Sequence, residues 1–263
     1  MSQFPDLKGK RAVVTGACGV IGRWLAQTLA EAGCDLCLTD ARQDQLDALA
    51  ADLTLSGASF AQACDLMDDA SMAGLIDAVG ARWGAADILV NNAGIYPSAF
   101  LLDSSNDDFD RMFGINLRAP FVLTKGLALQ MINKGVKGSV INISSGASRK
   151  MRRTVVLYCT SKTALDRLTK GFAVELAEYG IRVNALEPGF APGSAVSPLS
   201  DAHIASTTEQ IPLGRAATRQ DVGAALLYLA SDMSAYVTGS TMTVDGGNSI
   251  GSLAVHQDKK RAL

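Results

Sequence analysis

The chain has 263 residues, 48% of them hydrophobic and 19% charged, enough apolar surface for one large buried core and far from the composition of a disordered segment. Lysines and arginines number 24 against 26 acids, a formal net charge of −2, which removes the overall basicity of a nucleic-acid binder. No apolar run reaches the roughly 18 to 20 residues that span a bilayer, and the first ten residues lack the apolar core of a signal peptide, so a soluble chain with no membrane partner is expected.

From Arg11 onward, short β-branched runs alternate with longer amphipathic stretches, the pattern of βαβ units and a parallel sheet. The first strand is expected at Arg11–Thr15, followed by a glycine-punctuated turn and a helix over Val20–Ala32. Next come a strand at Asp35–Thr39, a polar helix over Gln43–Leu55, a strand at Ala58–Ala63 and a helix over Asp69–Arg82. Asp87–Val90 reads as the fourth strand. A long helical stretch over Ser105–Asn133 precedes a strand at Ser139–Ile143, a helix near Leu157–Tyr179 and a strand at Arg182–Leu186. Pro188–Leu213 is rich in Pro, Ser, Ala and Gly and loses periodicity, so it reads as a mobile loop within the domain, covering about 189–213. A helix over Gln220–Ser231 and a seventh strand at Thr241–Val244 follow, and residues 252–263 read as a solvated tail.

The turn after the first strand, Thr15-Gly16-Ala17-Cys18-Gly19-Val20-Ile21-Gly22, lies where glycines let backbone N–H groups approach a pyrophosphate and where a helix N-terminus supplies positive field. An ordinary βα turn is the alternative. Asp40 closes the second strand, where a carboxylate can accept from both adenosine ribose hydroxyls and would repel a 2′-phosphate. NAD is favoured over NADP on that ground, although Arg42 could bind the phosphate instead. Asp40 could also serve as a helix N-cap. Five cysteines, at 18, 34, 37, 64 and 159, form no paired extracellular framework, so a reducing, cytoplasmic setting is expected. Only His203 and His256 are present, and no metal-ligand cluster is expected.

With Asn91-Asn92-Ala93-Gly94 after the fourth strand, Ser145, Tyr158-Cys159-Thr160-Ser161-Lys162 and Pro188-Gly189, the chain resembles the short-chain dehydrogenase/reductase family, specifically its single-domain branch. The resemblance runs from Leu7 to Gly251 with the motifs in order. It implies a single Rossmann-like α/β domain over residues 1–263, a doubly wound, seven-stranded parallel sheet flanked by helices. It also implies a catalytic tetrad of Asn116, Ser145, Tyr158 and Lys162, with Asn116 holding a water on the proton path from Lys162. Cofactor contacts carry over to Gly16, Cys18, Gly19, Val20, Ile21, Gly22, Asp40, Ala41, Asp65, Leu66, Asn92, Ala93, Gly94, Tyr158, Lys162, Pro188, Gly189 and Ala191. A homotetramer built through the two long helices is implied as well.

The chemistry also follows from the residues. Removing hydride from an alcohol carbon needs a base for the hydroxyl proton, and an ordinary tyrosine, with a pKa of about 10, is poorly ionised at neutral pH. Tyr158 and Lys162 are one helical turn apart, so the ammonium can favour the phenolate. Ser145 can donate to the substrate oxygen. The sequence departs from the family pattern at three places: Val20 stands where the branch has its middle glycine, Gly193 stands where a threonine is common, with Ser194 as substitute contact, and Arg149-Lys150-Met151-Arg152-Arg153 fills a wall of the expected substrate pocket. The five-residue run is either a wet or subunit-facing surface or a site for an anionic substrate, reached by Arg152 or Arg153. Tyr96, Phe190, Ser194 and Ser197 would instead serve a neutral sugar or secondary alcohol. The expected activity is therefore NAD-dependent interconversion of a hydroxyl and a carbonyl. A neutral sugar 1-dehydrogenase or carbonyl reductase is one alternative, and a silent nucleotide sensor or scaffold on the same fold is the other.

Overall fold

The computed structural model describes residues 7–193, 199–251 and 253. Seven parallel strands form one sheet in the order β3-β2-β1-β4-β5-β6-β7. They are β1 (Arg11–Thr15), β2 (Asp35–Asp40), β3 (Phe60–Ala63), β4 (Ile88–Asn91), β5 (Ser139–Ile143), β6 (Arg182–Pro188) and β7 (Thr241–Val244). The central strands are mostly apolar because both sheet faces are covered: all residues of β4 and β5 are buried.

Strand side chains alternate between faces, and the two cores follow that alternation. On one face Val14, Leu36, Leu38, Ile141 and Leu186 pack with α1 (Val20–Glu31), α2 (Gln43–Asp52) and α8 (Arg219–Ala230). On the other, Val13, Leu89, Val140 and Val183 meet α3 (Asp69–Trp83), α5 (Ala119–Lys134) and α6 (Val156–Leu176). Several helices start on side-chain caps, Asp68 for α3, Ser105 with Asp108 for α4 (Asn106–Phe113) and Thr218 with Asp221 for α8, which satisfy otherwise orphaned N–H groups.

Besides shifts of one to three residues at other element ends, the structure changes the sequence reading as follows. The polar helix α2 stops at Asp52 rather than Leu55. The long helical stretch is two helices joined by a π turn at Gly114–Arg118. The segment read as an irregular loop contains α7 (Asp201–Glu209), capped by the Ser200 hydroxyl, which accepts from His203 N; α7 buries no residue, so no apolar stripe announces it. β6 extends through Pro188, which loses no ladder donor at the strand's end. Ser194, Ser197 and nearly all of the expected tail lie outside the described residues.

The order of strands reverses between β1 and β4, because β2 and β3 extend from one side of β1 and β5 to β7 from beyond β4. Successive loops leave the sheet on opposite faces at that point and open a crevice above the carboxyl ends. There Gly22 sits so close to the preceding turn that a Cβ would overlap the Gly16 carbonyl and come within 2.9 Å of both Ala17 Cα and Asn92 Nδ2. Gly22→Ala is expected to lower stability by about 1–3 kcal/mol, the usual range for overpacking, measured by denaturant unfolding; an unchanged midpoint would show that the turn yields.

Candidate active site

The turns after β1 and β4 are tied together. Thr15 Oγ1 accepts from Asn92 N and Ala93 N, each at 3.0 Å, and Asn92 Nδ2 donates to Thr15 O at 2.8 Å and Gly16 O at 2.9 Å. Asn92 therefore serves the turn with its side chain, and only its backbone borders the crevice. Gly16 has φ +60°, and a Cβ there would stand 2.7 Å from Ala93 Cα, so this crossing of two backbones needs glycine.

α1 begins at Gly19 with no side-chain cap, which leaves its leading N–H groups available to an anion. A Cβ on Gly19 would meet nothing closer than Gly16 O at 3.5 Å, so that side of the turn is open. Asp40, half-buried at the end of β2, accepts from Cys18 N at 3.1 Å and from Ala41 N at 2.8 Å. It is not a helix cap, since α2 starts from Arg42 without a side-chain cap bond. Burial, reinforced by the Asp40 carboxylate, pushes the Cys18 thiol up to about 11, so this cysteine stays a neutral wall of the turn. Asp65 and Leu66 follow β3, with Met67 N donating to Asp65 Oδ1 at 2.8 Å. This open, uncapped cradle ending on a carboxylate fits a dinucleotide.

The other half of the crevice holds the expected tetrad. Lys162 is 4% exposed and its Nζ donates to Ile143 O at 2.8 Å. Gly94 lies directly over it, since a Cβ there would stand 3.5 Å from Lys162 Nζ and 3.4 Å from Asn116 Oδ1, in ordinary van der Waals contact. Asn116 lies in the π turn, fully buried; its Oδ1 accepts from Ile95 N at 2.9 Å, and its Nδ2 donates to Ile95 O at 2.9 Å and Ser161 Oγ at 3.1 Å. The Lys162 ammonium is 5.8 Å from the centre of the Tyr158 ring, and Tyr96 packs edge-on against that ring with centroids 6.0 Å apart. Ser145 caps the short turn Gly146–Ser148 and is hydrogen-bonded with Tyr158. Beyond β6, Gly189 N donates to Val244 O at 2.7 Å and Phe190 O accepts from Ala217 N at 2.8 Å, which ties this segment to β7 and to the stretch before α8.

Burial pushes the Tyr158 phenol above its ordinary value, against the pull of the Ser145 hydrogen bond. The same burial brings Lys162 down to about 8, with Asp166 the charge opposing it. The phenol is thus neutral at pH 7, and the ammonium is within reach of deprotonation.

The basic run divides. Arg149, its side chain still 42% exposed, pairs with Glu187, and Lys150 Nζ donates to Asn248 O at 2.9 Å. Arg152 and Arg153 are exposed, Arg153 with its guanidinium 5.3 Å from the centre of the Phe100 ring and Arg152 near enough to lower the Tyr158 pKa. Thr154, with φ +66°, carries the backbone strain of this loop, and its carbonyl accepts from Ala99 N at 2.8 Å.

Sequence reasoning missed a buried polar ladder behind the site. Asn91 Nδ2 donates to Asn142 Oδ1 at 2.8 Å and Thr124 Oγ1 at 3.1 Å, and Asn142 Nδ2 donates to Thr169 Oγ1 at 2.8 Å. It joins β4 and β5 to α5 and α6. The signal was an asparagine in each of two apolar strands, which fall opposite one another in the register.

Comparison with known proteins agrees with this architecture. The family described as enoyl-(acyl carrier protein) reductase matches residues 16–249. Galactitol 2-dehydrogenase of Agrobacterium fabrum is 34% identical over 254 residues, covering 92% of this chain and 98% of the relative. The 3-oxoacyl-[acyl-carrier-protein] reductase FabG of Rickettsia bellii is 34% identical over 242 residues, with the same coverage of 92% and 98%. A crystal structure of a short-chain type dehydrogenase/reductase from Mycobacterium marinum superimposes with a TM-score of 0.84 at 33% identity, over 94% of this chain and 97% of that one.

A lysine protonated in the unfolded chain up to about pH 10.5 but in the fold only up to about 8 lowers stability below pH 8, and the loss is recovered as pH rises from 8 towards 10.5. Lys162→Met is therefore expected to melt higher than wild type at pH 7, by a margin that shrinks towards pH 10. A margin independent of pH in paired thermal melts would contradict the burial of a charged Lys162.

Proposed function

The chain belongs to the short-chain dehydrogenase/reductase family, and on that premise we propose that it is an NAD-dependent oxidoreductase interconverting a hydroxyl and a carbonyl on a small polar substrate. The observation that carries this reading is the gathering of Ser145, Tyr158, Lys162 and Asn116 beside the tied turns of β1 and β4. The family uses NAD or NADP, and a bound nicotinamide supplies the hydride acceptor or donor. Gly16 to Gly22 and the N-terminus of α1 would hold the pyrophosphate, Asp40 with Ala41 the adenosine ribose, Asp65 and Leu66 the adenine, and Ala93, Gly94, Lys162, Pro188, Gly189 and Ala191 the nicotinamide half. The carboxylate of Asp40 at the ribose favours NAD, because a 2′-phosphate there meets like charge.

Proton transfer falls to Tyr158 Oη. In reduction the neutral phenol gives its proton to the carbonyl oxygen; in oxidation the phenolate takes the hydroxyl proton. Ser145 donates a hydrogen bond to the same substrate oxygen and holds it near the phenol. Lys162, through its charge, favours the phenolate. Asn116 acts through others: its amide fixes Ile95, next to Tyr96, and Ser161, next to Lys162. That is a positioning role for its side chain, alongside the water-holding one implied by family likeness.

A relative acting on galactitol supports a polyol or sugar-like substrate. The acidic-substrate reading rests on Arg152, whose charge reaches Tyr158. We read the groove formed by Phe113, Leu117, Phe121, Leu168 and Gly171 on α4 to α6 as the contact of a homotetramer, to be checked by light scattering. Among the described residues no helix is long and apolar enough to cross a membrane.

Purified protein with NAD and a panel of polyols, sugars and hydroxy acids is expected to raise the absorbance of reduced nicotinamide, and less with NADP. Binding of NAD without turnover on any class would favour the sensor reading. Tyr158→Phe is expected to cost about 10²–10⁴-fold in kcat, the range of general acid–base catalysis, with NAD binding kept. Because the phenol is held above its ordinary pKa, carbonyl reduction should be full at neutral pH and fade at alkaline pH, while alcohol oxidation climbs; parallel profiles for both directions would count against Tyr158 as the proton carrier. Replacing Arg152 and Arg153 together by alanine should raise KM about tenfold or more for an acidic substrate, the scale of a lost charged hydrogen bond, and leave a neutral polyol unaffected. Equal KM values would discard the anionic substrate.

A further inference from the structure

Glu187 lies inside β6, one residue before Pro188, and is 0% exposed. A carboxylate without water must be paired and hydrogen-bonded, and an apolar residue at such a position is often as stable or more so. Its donors are therefore informative. Oε2 accepts from Arg149 Nη2 at 2.6 Å and from Thr243 Oγ1 at 2.7 Å, and Oε1 accepts from Ser148 Oγ at 2.9 Å. Two of these three come from the loop that begins at Ser145. Arg149 Nη2 also donates to Ser249 Oγ at 2.5 Å, beyond β7. The same loop is gripped from α6, where Thr163 Oγ1, next to Lys162, donates to Ser148 O at 2.7 Å.

We propose that the Glu187–Arg149 ion pair is a positioning clamp that fixes the Ser145 loop against the Pro188-Gly189 turn and so sets the serine hydroxyl relative to the nicotinamide side of the crevice. A buried charge that only plugged β6 would draw its partners from the strands beside it. Here one donor, Thr243, comes from the neighbouring strand, while Ser148 and Arg149 reach over from the loop whose geometry the chemical step depends on. The ion pair allows little slack, because the carboxylate has no water to fall back on if the loop withdraws. Neither residue touches the reacting atoms; both act through the backbone between Ser145 and Arg149 and through that between Glu187 and Gly189. The rate arm of the test rests on the dehydrogenase reading above, and the exchange arm does not.

The double variant Glu187→Leu/Arg149→Met removes both charges together, so its melting temperature should return towards wild type where Arg149→Met alone, leaving a buried carboxylate without its cation, is the less stable protein. Single-turnover hydride transfer in the double variant is expected to stay slow, by about 100-fold, the scale of a roughly 1 Å misplacement, while the dissociation constant of the dinucleotide, read by fluorescence, stays unchanged. Recovery of the rate together with stability overturns the clamp, and so does loss of dinucleotide binding in step with the rate. Hydrogen exchange of the double variant should rise at amides 145–155 and stay level in β4 and β5; level exchange throughout also overturns it. A wild type that turns over nothing sinks the dehydrogenase reading, and the exchange measurement still decides the clamp.

Discussion

An ammonium removed from water has to be hydrogen-bonded, offset by charge or made easier to deprotonate, and the burial of Lys162 imposes that choice on everything around it. Its one-turn spacing from Tyr158 requires α6 to run past the carboxyl end of β5, where Ile143 offers its carbonyl. The turn after β4 passes directly over this pair, with Lys162 Nζ and Asn116 Oδ1 both in van der Waals reach of the place a Cβ on residue 94 would take. Thr15 and Asn92 hold that turn against the one after β1, so the polar end of the crevice and its phosphate-sized end are one mechanical unit.

The π turn belongs to the same constraint. A residue inserted into a regular helix rotates those that follow by about 100°, and π turns are found where a side chain must be re-aimed, frequently at functional sites. In this chain the wider turn puts the Asn116 amide between Ile95 and Ser161. The segment carrying Tyr96 and the helix carrying Tyr158 are thereby joined through one buried side chain. The asparagine and threonine ladder of Asn91, Asn142, Thr124 and Thr169 repeats this deeper in the sheet. Asn91 Oδ1 alone in this ladder lacks a partner among the described residues, and the directional bonds that the others make fix one arrangement more sharply than apolar packing does.

What could be read in the sequence follows from how strongly each feature is written locally. Parallel strands covered on both faces appear as short apolar runs, so β1, β5 and β7 have the bounds expected of them. Tyr158 and Lys162 share a helix face whatever the tertiary structure. The π turn has no compositional mark, and α7 has no buried stripe, so neither was legible. The ion pair of Arg149 was not legible, because its partner, Glu187, is remote in sequence and buried. Asn91 and Asn142 become a pair only once β4 and β5 are aligned. In each case the missing information is non-local, a contact between segments whose pairing has to be known first.

The electrostatics of the site follow from burial more than from any single neighbour. Desolvation penalises whichever form is charged, so it moves the phenol up and the amine down, narrowing the gap that separates them in water. At neutral pH the resting pair is phenol and ammonium, the combination that can release a proton from Oη and keep positive charge behind it to favour the resulting phenolate. In the reaction proposed above, carbonyl reduction would start from that form directly, whereas oxidation would first have to generate the phenolate, with the Lys162 charge and the Ser145 hydrogen bond as its supports. A site carved less deeply would leave both groups near their aqueous values, with the amine too strongly protonated to sit within a proton relay near neutral pH. The depth that makes Lys162 a cost to the fold is thus what brings its titration down to about 8.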